Sequence, residues 1–383
     1  MLHFEIIGPA YPLRGGIANY NERLAQEVQT QGQQAHLTTF KLQYPSILFP
    51  GKTQYSEDPP PANLDIDVTI NSVNPVNWMR TGKQLKDQKP DLVIMKYWLP
   101  FLAPCYGTIA RAVKKNNHTK VISILDNVIP HEKRPGDNAL TAYFLTACDA
   151  FIYMSKSVGD DLAQFQTGKP SQFNPHPVYD NYGPQLSRKE AIAALDLDPD
   201  YRYLLFFGFV RRYKGLDLLL EAFADSRLRE FPLKLIVAGE YYEDAAPYEA
   251  IIQKHQLEEK IIHENSFIPN ERVGLYFSAA DLIVQPYRDA TQSGVTQIGY
   301  YYERPMIVTN VGGLPEIVPN GQAGYIVERT PESIADAINN FYLQDTTEQF
   351  VTFLKEEKKR YSWENLYATI LELYQSLTPD IQG

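Results

Sequence analysis

The chain has 383 residues and a formal net charge of −10, and it is 44% hydrophobic, 21% charged and 12% aromatic. That length points to two domains of ordinary size, and that composition excludes a disordered chain, a collagen or a repeat array. The acidic balance argues against a nucleic-acid partner and confines membrane contact to a peripheral patch, such as Arg111, Lys114 and Lys115.

In chain order, the apolar run 4–7 ends at Gly8 and Pro9 and reads as a buried first strand. A loop over 9–16, an amphipathic helix over 18–30, Gly32 and a strand at 35–40 complete a β–loop–α–β opening. The segment 43–64, with YPSILFPG and then EDPPPANL, reads as a long aromatic and proline-rich excursion. Strands are expected at 92–95, 121–125 and 151–153, with helices at 78–87, 103–116 and 138–146. The run NPHPVYDNYGP at 174–184 disfavours helix and marks a linker. The alternation then restarts: LLFFGFV, a helix from Leu216, KLIVAGE, a helix at 248–255, IIHENSF, a helix at 273–279, LIVQPY, a helix at 295–302 and MIVTNV. Helices at 331–343 and 363–377 close the chain.

The pattern predicts an α/β protein of two Rossmann-like domains, 1–178 and 179–361, facing each other across a cleft, with a C-terminal helix in 362–383 packing on the first. Cys105 and Cys148 have no CxxC spacing and no nearby His, so they read as reduced core residues. The N-terminus lacks a signal-peptide pattern, and no apolar stretch reaches the ~20 residues of a membrane span. A cytoplasmic location is expected, with at most peripheral contact with the inner face of a membrane.

Three segments could carry chemistry. Gly208-Phe-Val-Arg-Arg-Tyr-Lys-Gly215 leaves the first strand of the second half, so Arg211 and Lys214 would stand at a strand's carboxyl end. Two fixed cations there suit a pyrophosphate, although a solvated basic turn explains them equally. Ala290-Thr-Gln-Ser-Gly-Val295 precedes a helix, where free amides and the positive dipole end favour an anion. Gly294 would let a phosphate approach the backbone; a plain capping turn with Thr291 or Ser293 as N-cap is the alternative. Leu13-Arg-Gly-Gly-Ile-Ala18 follows the first strand, and its Gly15-Gly16 pair leaves room for a ligand without forming GxGxxG. Asp126, Asn127, His131 and Glu132 follow another strand and could bind or protonate a hydroxyl, or simply bond the structure. Gly312-Gly313-Leu-Pro-Glu316 forms a further strand-end loop. No metal-ligand spacing, GxSxG or P-loop occurs.

Together these segments resemble the retaining glycosyltransferases of the GT-B type, glycosyltransferase family 4 (glycosyl transferases group 1). The resemblance runs over nearly the whole chain and is strongest from 204 to 327. It rests on Gly15-Gly16, Asp126-Asn127, the Gly208–Gly215 turn, Val-Ala-Gly-Glu240 and Pro305-Met-Ile-Val-Thr-Asn-Val-Gly-Gly-Leu-Pro-Glu-Ile-Val318. The chain departs from the family pattern in four places. Ala290 and Ile298 stand where members carry glutamates, with Gln292 and Gln297 nearby as neutral substitutes. Phe209 replaces an Arg, and Asp126 stands where many members have His. The pairing of A-T-Q-S-G with R-x-Y-K-G resembles a subgroup of the family.

The resemblance implies transfer of a hexose from a UDP- or GDP-sugar to a glycan or lipid-linked acceptor hydroxyl, with retention at the anomeric carbon, in glycan or glycolipid biosynthesis. It implies Arg211 and Lys214 as catalytic cations. Gly15, Gly16, Ile268, Thr291, Gln292, Ser293, Gly294 and Val295 would bind the donor, with the base near Phe267–Ile268. Asp126, Asn127 and His131 would bind the sugar or acceptor. No cofactor and no metal are expected. A catalytically silent nucleotide-sugar binder, a sugar-nucleotide epimerase and a phosphorylase-like enzyme are the alternatives.

Overall fold

The structure is a computed structural model that describes residues 1–45, 53–56, 59–130, 134–290 and 293–378. The chain divides into two compact units, Met1–Pro177 with Ser362–Gly383, and Val178–Tyr361.

The first unit is a parallel sheet of β1 (His3–Ile7), β2 (Gln34–Leu42), β3 (Asp65–Asn71), β4 (Leu92–Tyr97), β5 (Lys120–Leu125), β6 (Ala150–Tyr153) and β7 (Ser171–Phe173) in the order β3-β2-β1-β4-β5-β6-β7. Its helices are α1 (Gly16–Thr30), α2 (Pro75–Gln88), α3 (Ala103–Val113), α4 (Asp137–Leu145) and α5 (Lys156–Ala163). β4 and β5 are buried along nearly their whole length, which is why they read as unbroken apolar runs. β3, DIDVTIN, is the edge strand and mostly half-exposed, so its polar alternation escaped the sequence reading.

The second unit is a six-stranded parallel sheet of β8 (Arg202–Phe207), β9 (Leu233–Ala238), β10 (Ile261–Glu264), β11 (Leu282–Gln285), β12 (Met306–Thr309) and β13 (Gly324–Val327). Its order, β10-β9-β8-β11-β12-β13, is the doubly wound one. Here α6 (Arg188–Ala194), α7 (Leu216–Phe223), α8 (Ala246–His255), α9 (Asn270–Ala279), α10 (Gly294–Tyr301), α11 (Leu314–Ile317), α12 (Pro331–Gln344) and α13 (Thr347–Glu357) surround the sheet. The final helix, α14 (Trp363–Leu377), belongs to the first unit, where Trp363 is buried against Tyr20 of α1 at 5.0 Å between ring centroids. Both units are therefore Rossmann-like α/β sheets.

In such sheets the strand order reverses beside the first strand, and the loops at that point diverge and leave a crevice. In the second unit this point lies between β8 and β11. Neither strand turns back on its neighbour, so the segments 208–215 and 286–290 emerge side by side.

Candidate functional site

The segment after β8 makes a 3-10 turn over Arg212–Lys214 and closes on Gly215 in the left-handed region, φ 69°. A Cβ at Gly215 would lie 2.0 Å from the Pro286 carbonyl oxygen, so only glycine lets the two loops touch. Arg288 ties them together. Its amide donates to the Tyr213 carbonyl at 2.6 Å, its guanidinium donates to the Arg212 carbonyl at 3.0 Å, and it forks onto Asp217 with two bonds of 2.7 Å. A bidentate fork of this kind fixes geometry as well as charge.

Tyr287 is the floor between the loops, a role the sequence reading missed by placing it at a strand end. It is buried, its carbonyl accepts from Thr309 Oγ1, and its ring lies 6.1 Å from that of Tyr213, edge-on. Lys214 Nζ sits 5.6 Å from the Tyr287 ring centroid, and Ser293 Oγ lies 3.4 Å from the Tyr287 hydroxyl. Lys214 and the start of α10 thus flank the same ring.

Ser293 caps α10: its hydroxyl accepts from the Val295 amide at 3.2 Å and donates to Gln285 Oε1 at 2.7 Å. Gln285, 1% exposed at the end of an apolar strand, holds the cap in place. The first-turn amides of Gly294 and Thr296 have no acceptor within the helix. Packing also favours a glycine at 294, since a Cβ there would lie 3.0 Å from the Tyr179 ring. Thr291 and Gln292 lie outside the described residues.

The charges at this point are unusual. Lys214 is buried, and among the described residues its ammonium meets neither a carboxylate nor a hydrogen-bond acceptor. Burial, and then the like charge of Arg211, push its pKa down to about 8. Arg211 lies over the Tyr242 ring, 5.0 Å from its centroid. Tyr242 packs on Phe209 at 4.2 Å, and Phe209 lies 6.3 Å from Phe267. Phe209 is thus part of a half-buried aromatic cluster at the ends of β8, β9 and β10. Ile268, next to Phe267, is buried. Ala290 and Ile298 are buried apolar residues.

In the first unit, Gly15 stands in the left-handed region at φ 111° before α1, with open space where a side chain would project, and Gly16 begins the helix. Asp126 follows β5, and one of its oxygens accepts from Lys96 Nζ at 2.8 Å. Lys96 is 1% exposed and also lies 3.4 Å from the Tyr20 ring centroid. Burial lowers its pKa and Asp126 opposes that shift. Asn127 follows Asp126 in the same loop, and His131 lies outside the described residues. The sequence reading missed Lys96 because it ends an apolar strand whose counter-ion is far away in the chain. Among the described residues there is no cluster of His, Cys, Asp and Glu that could hold a metal ion.

Residues 187–360 match the family model described as Glycosyl transferases group 1. An uncharacterized glycosyltransferase of Methanocaldococcus jannaschii is 25% identical over 309 residues, covering 79% of this chain and 80% of that protein. A D-inositol 3-phosphate glycosyltransferase of Corynebacterium urealyticum is 26% identical over 203 residues, which cover 51% of this chain and 48% of the relative, so the chain spans about half of its length. Among solved structures, Anabaena HepE in complex with UDP and glucose is similar with a TM-score of 0.71 at 13% identity, over 98% of this chain and all of that one. That likeness is one of fold.

Proposed function

We infer that this protein, a glycosyltransferase whose group 1 domain spans residues 187–360, moves a hexose from a UDP- or GDP-sugar to an acceptor hydroxyl with retention at the anomeric carbon. The observation that carries the reading is the buried ammonium of Lys214, which among the described residues meets no carboxylate or hydrogen-bond acceptor and has Arg211 as a second cation and the start of α10 near the same ring. A buried ammonium that also feels a like charge is costly unless an anion comes to it. A nucleoside diphosphate supplies that anion.

As the bond between the anomeric carbon and the diphosphate breaks, negative charge grows on the leaving oxygen. The Lys214 ammonium, the Arg211 guanidinium and the free amides at the start of α10 would meet that charge. Preorganised donors of this kind lower a barrier by about 3–4 kcal/mol each at most. The proton balance is simple: near pH 8 part of the Lys214 population is neutral, and the bound diphosphate draws a proton onto it from solvent and holds it there.

The base would stack on the half-buried Phe209, Tyr242 and Phe267 cluster next to Ile268. UDP-glucose is the first donor to test, because the structurally similar Anabaena protein is known in complex with UDP and glucose. The acceptor hydroxyl would meet the first unit near Gly16, Asp126, Asn127 and His131. No metal enters this scheme, since the two cations do the neutralising.

The test is a transfer and donor-hydrolysis assay over a panel of UDP- and GDP-sugars, with wild type, Arg211→Ala and Lys214→Ala. Turnover by wild type that both variants lose supports the reading. Tight donor binding without turnover on any acceptor pool would favour a silent binder, and conversion of free donor without an acceptor would favour an epimerase.

A further inference from the structure

A groove of about 510 Å³ lies in the first unit between α5, β7 and the turn that joins them. Part of its lining is apolar: Leu162 and Ala163 of α5, and the half-buried ring of Tyr153, the last residue of β6. That ring can lie against α5 because position 159 is glycine, where a Cβ would come within 2.7 Å of Tyr153 Cε2. The Ser155 hydroxyl accepts from the Val158 amide and caps α5, which fixes this wall. Phe173, the last residue of β7, packs on Tyr153 with ring centroids 5.8 Å apart and is itself 37% exposed. The aromatic surface therefore continues beside the groove.

The rest of the lining is polar and uncommitted. Among the described residues the Tyr153 hydroxyl and the side chains of Asp160, Gln166 and Ser171 make no hydrogen bond or ion pair. They offer a carboxylate that only accepts, an amide that donates and accepts, and two hydroxyls that do both. The charges balance: Lys156 and Asp160 bring one of each sign, and the Lys169 ammonium is held by the carbonyls of Leu145 and Thr146 at 2.9 and 2.8 Å. A phosphate would find no surplus of cations here. An apolar ring framed by donors and acceptors of no net charge fits a ligand with a C–H face and a rim of hydroxyls, which is a pyranose.

The place of the groove in the sheet gives that sugar a role. Tyr153 is paired in register with Leu125, the residue before Asp126, and Phe173 is paired with Tyr153. Neighbouring strands lie about 4.8 Å apart, so the aromatic strip begins one strand out from Asp126, where the acceptor hydroxyl would lie. We propose that this groove binds a sugar residue of the acceptor chain, so that the acceptor is an oligosaccharide whose reacting end lies near Asp126. The acceptor role rests on the proposed placement of that hydroxyl; the binding of sugar does not.

The experiment is binding of the full chain, without donor, to an array of immobilised oligosaccharides, followed by transfer kinetics on the oligosaccharide bound best. Wild type should bind at least one of them. Asp160→Ala with Gln166→Ala, both exposed, and separately Tyr153→Leu, should each weaken that binding at least about ten-fold. Tyr153→Phe, which keeps the ring, should stay within about five-fold of wild type. In transfer the same losses should appear in KM for that oligosaccharide, with kcat unchanged. Thermal unfolding of the Asp160 and Gln166 double variant should match wild type, which separates a lost contact from a lost fold. No oligosaccharide bound by wild type, binding indifferent to both groove variants, or an unchanged KM would overturn the proposal. So would a concentration-dependent dimer that these variants dissolve, which would give the groove to a second copy. Binding is read without donor, so failure of the groove and failure of the donor chemistry give different results.

Discussion

Each unit buries one lysine over a tyrosine ring near the carboxyl edge of its sheet, and the two are treated in opposite ways. Lys96 in the first unit lies over Tyr20 and is neutralised by Asp126 at 2.8 Å. Lys214 in the second lies over Tyr287 and has Arg211 as its charged neighbour, with no carboxylate among the described residues. A paired buried cation belongs to the structure, whereas an unpaired one next to a second cation is a site waiting for an anion. The difference separates a unit that is electrostatically complete from one completed by its ligand.

Removing each ammonium breaks the comparison most sharply. Lys214→Met should lower kcat/KM for a nucleotide-sugar by about 100- to 1,000-fold. The same change should stabilise the unliganded protein by about 1–3 kcal/mol, the order implied by a pKa driven from 10.5 to about 8. Lys96→Met should do the reverse to stability, costing about 3 kcal/mol because it removes the ammonium that Asp126 accepts from. Chemical denaturation of both variants checks the pair, and Lys96→Met more stable than wild type would erase the distinction.

Gly208→Ala probes the same ammonium through the backbone. Gly208 has φ 95°, and a Cβ there would lie 2.7 Å from Lys214 Nζ. The strain should cost about 1–2 kcal/mol, and displacing the ammonium should lower turnover by about ten-fold or more, in a steady-state assay.

The pH dependence sharpens the contrast further. The folded pKa of Lys214 lies below its unfolded value, so between about 8 and 10.5 the unfolded chain binds more protons. Stability of wild type relative to Lys214→Met should therefore rise with pH across that window, while kcat/KM falls as the ammonium is lost above about pH 8. The smallest effect falls in the first unit. There the Glu5 carboxylate, accepting from His36 at 2.9 Å, raises the His36 pKa above 6.5. That contribution is complete below about pH 6.5 and fades as pH rises through the raised value, so a His36→Asn variant should lose stability only on the acid side.

Much of this was readable in the chain. The strands buried on both faces stood out as apolar runs, and the turn around Arg211 and Lys214 announced its cations. Elements that face solvent on one side did not stand out: β3 (DIDVTIN) and α5 (KSVGDDLA) lack an apolar run, and α5 is marked only by its Ser155 cap. At the site, three features depend on contacts between distant residues. Tyr287 reads as the end of a strand, Gln285 as a lone polar residue, and Lys96 as the tail of MKYW. Only folding brings Gln285 to Ser293 and Lys96 to Asp126. Gly294 has a second reason that no local pattern shows: its missing side chain makes room for the Tyr179 ring.

Calorimetry of UDP and GDP binding near pH 8, in buffers of different ionisation enthalpy, tests the claim about Lys214 most directly. A diphosphate that completes this lysine must restore its proton, so wild type should take up protons on binding, and Lys214→Met should bind weakly with no uptake. Equal affinity and equal proton uptake in the two proteins would contradict it.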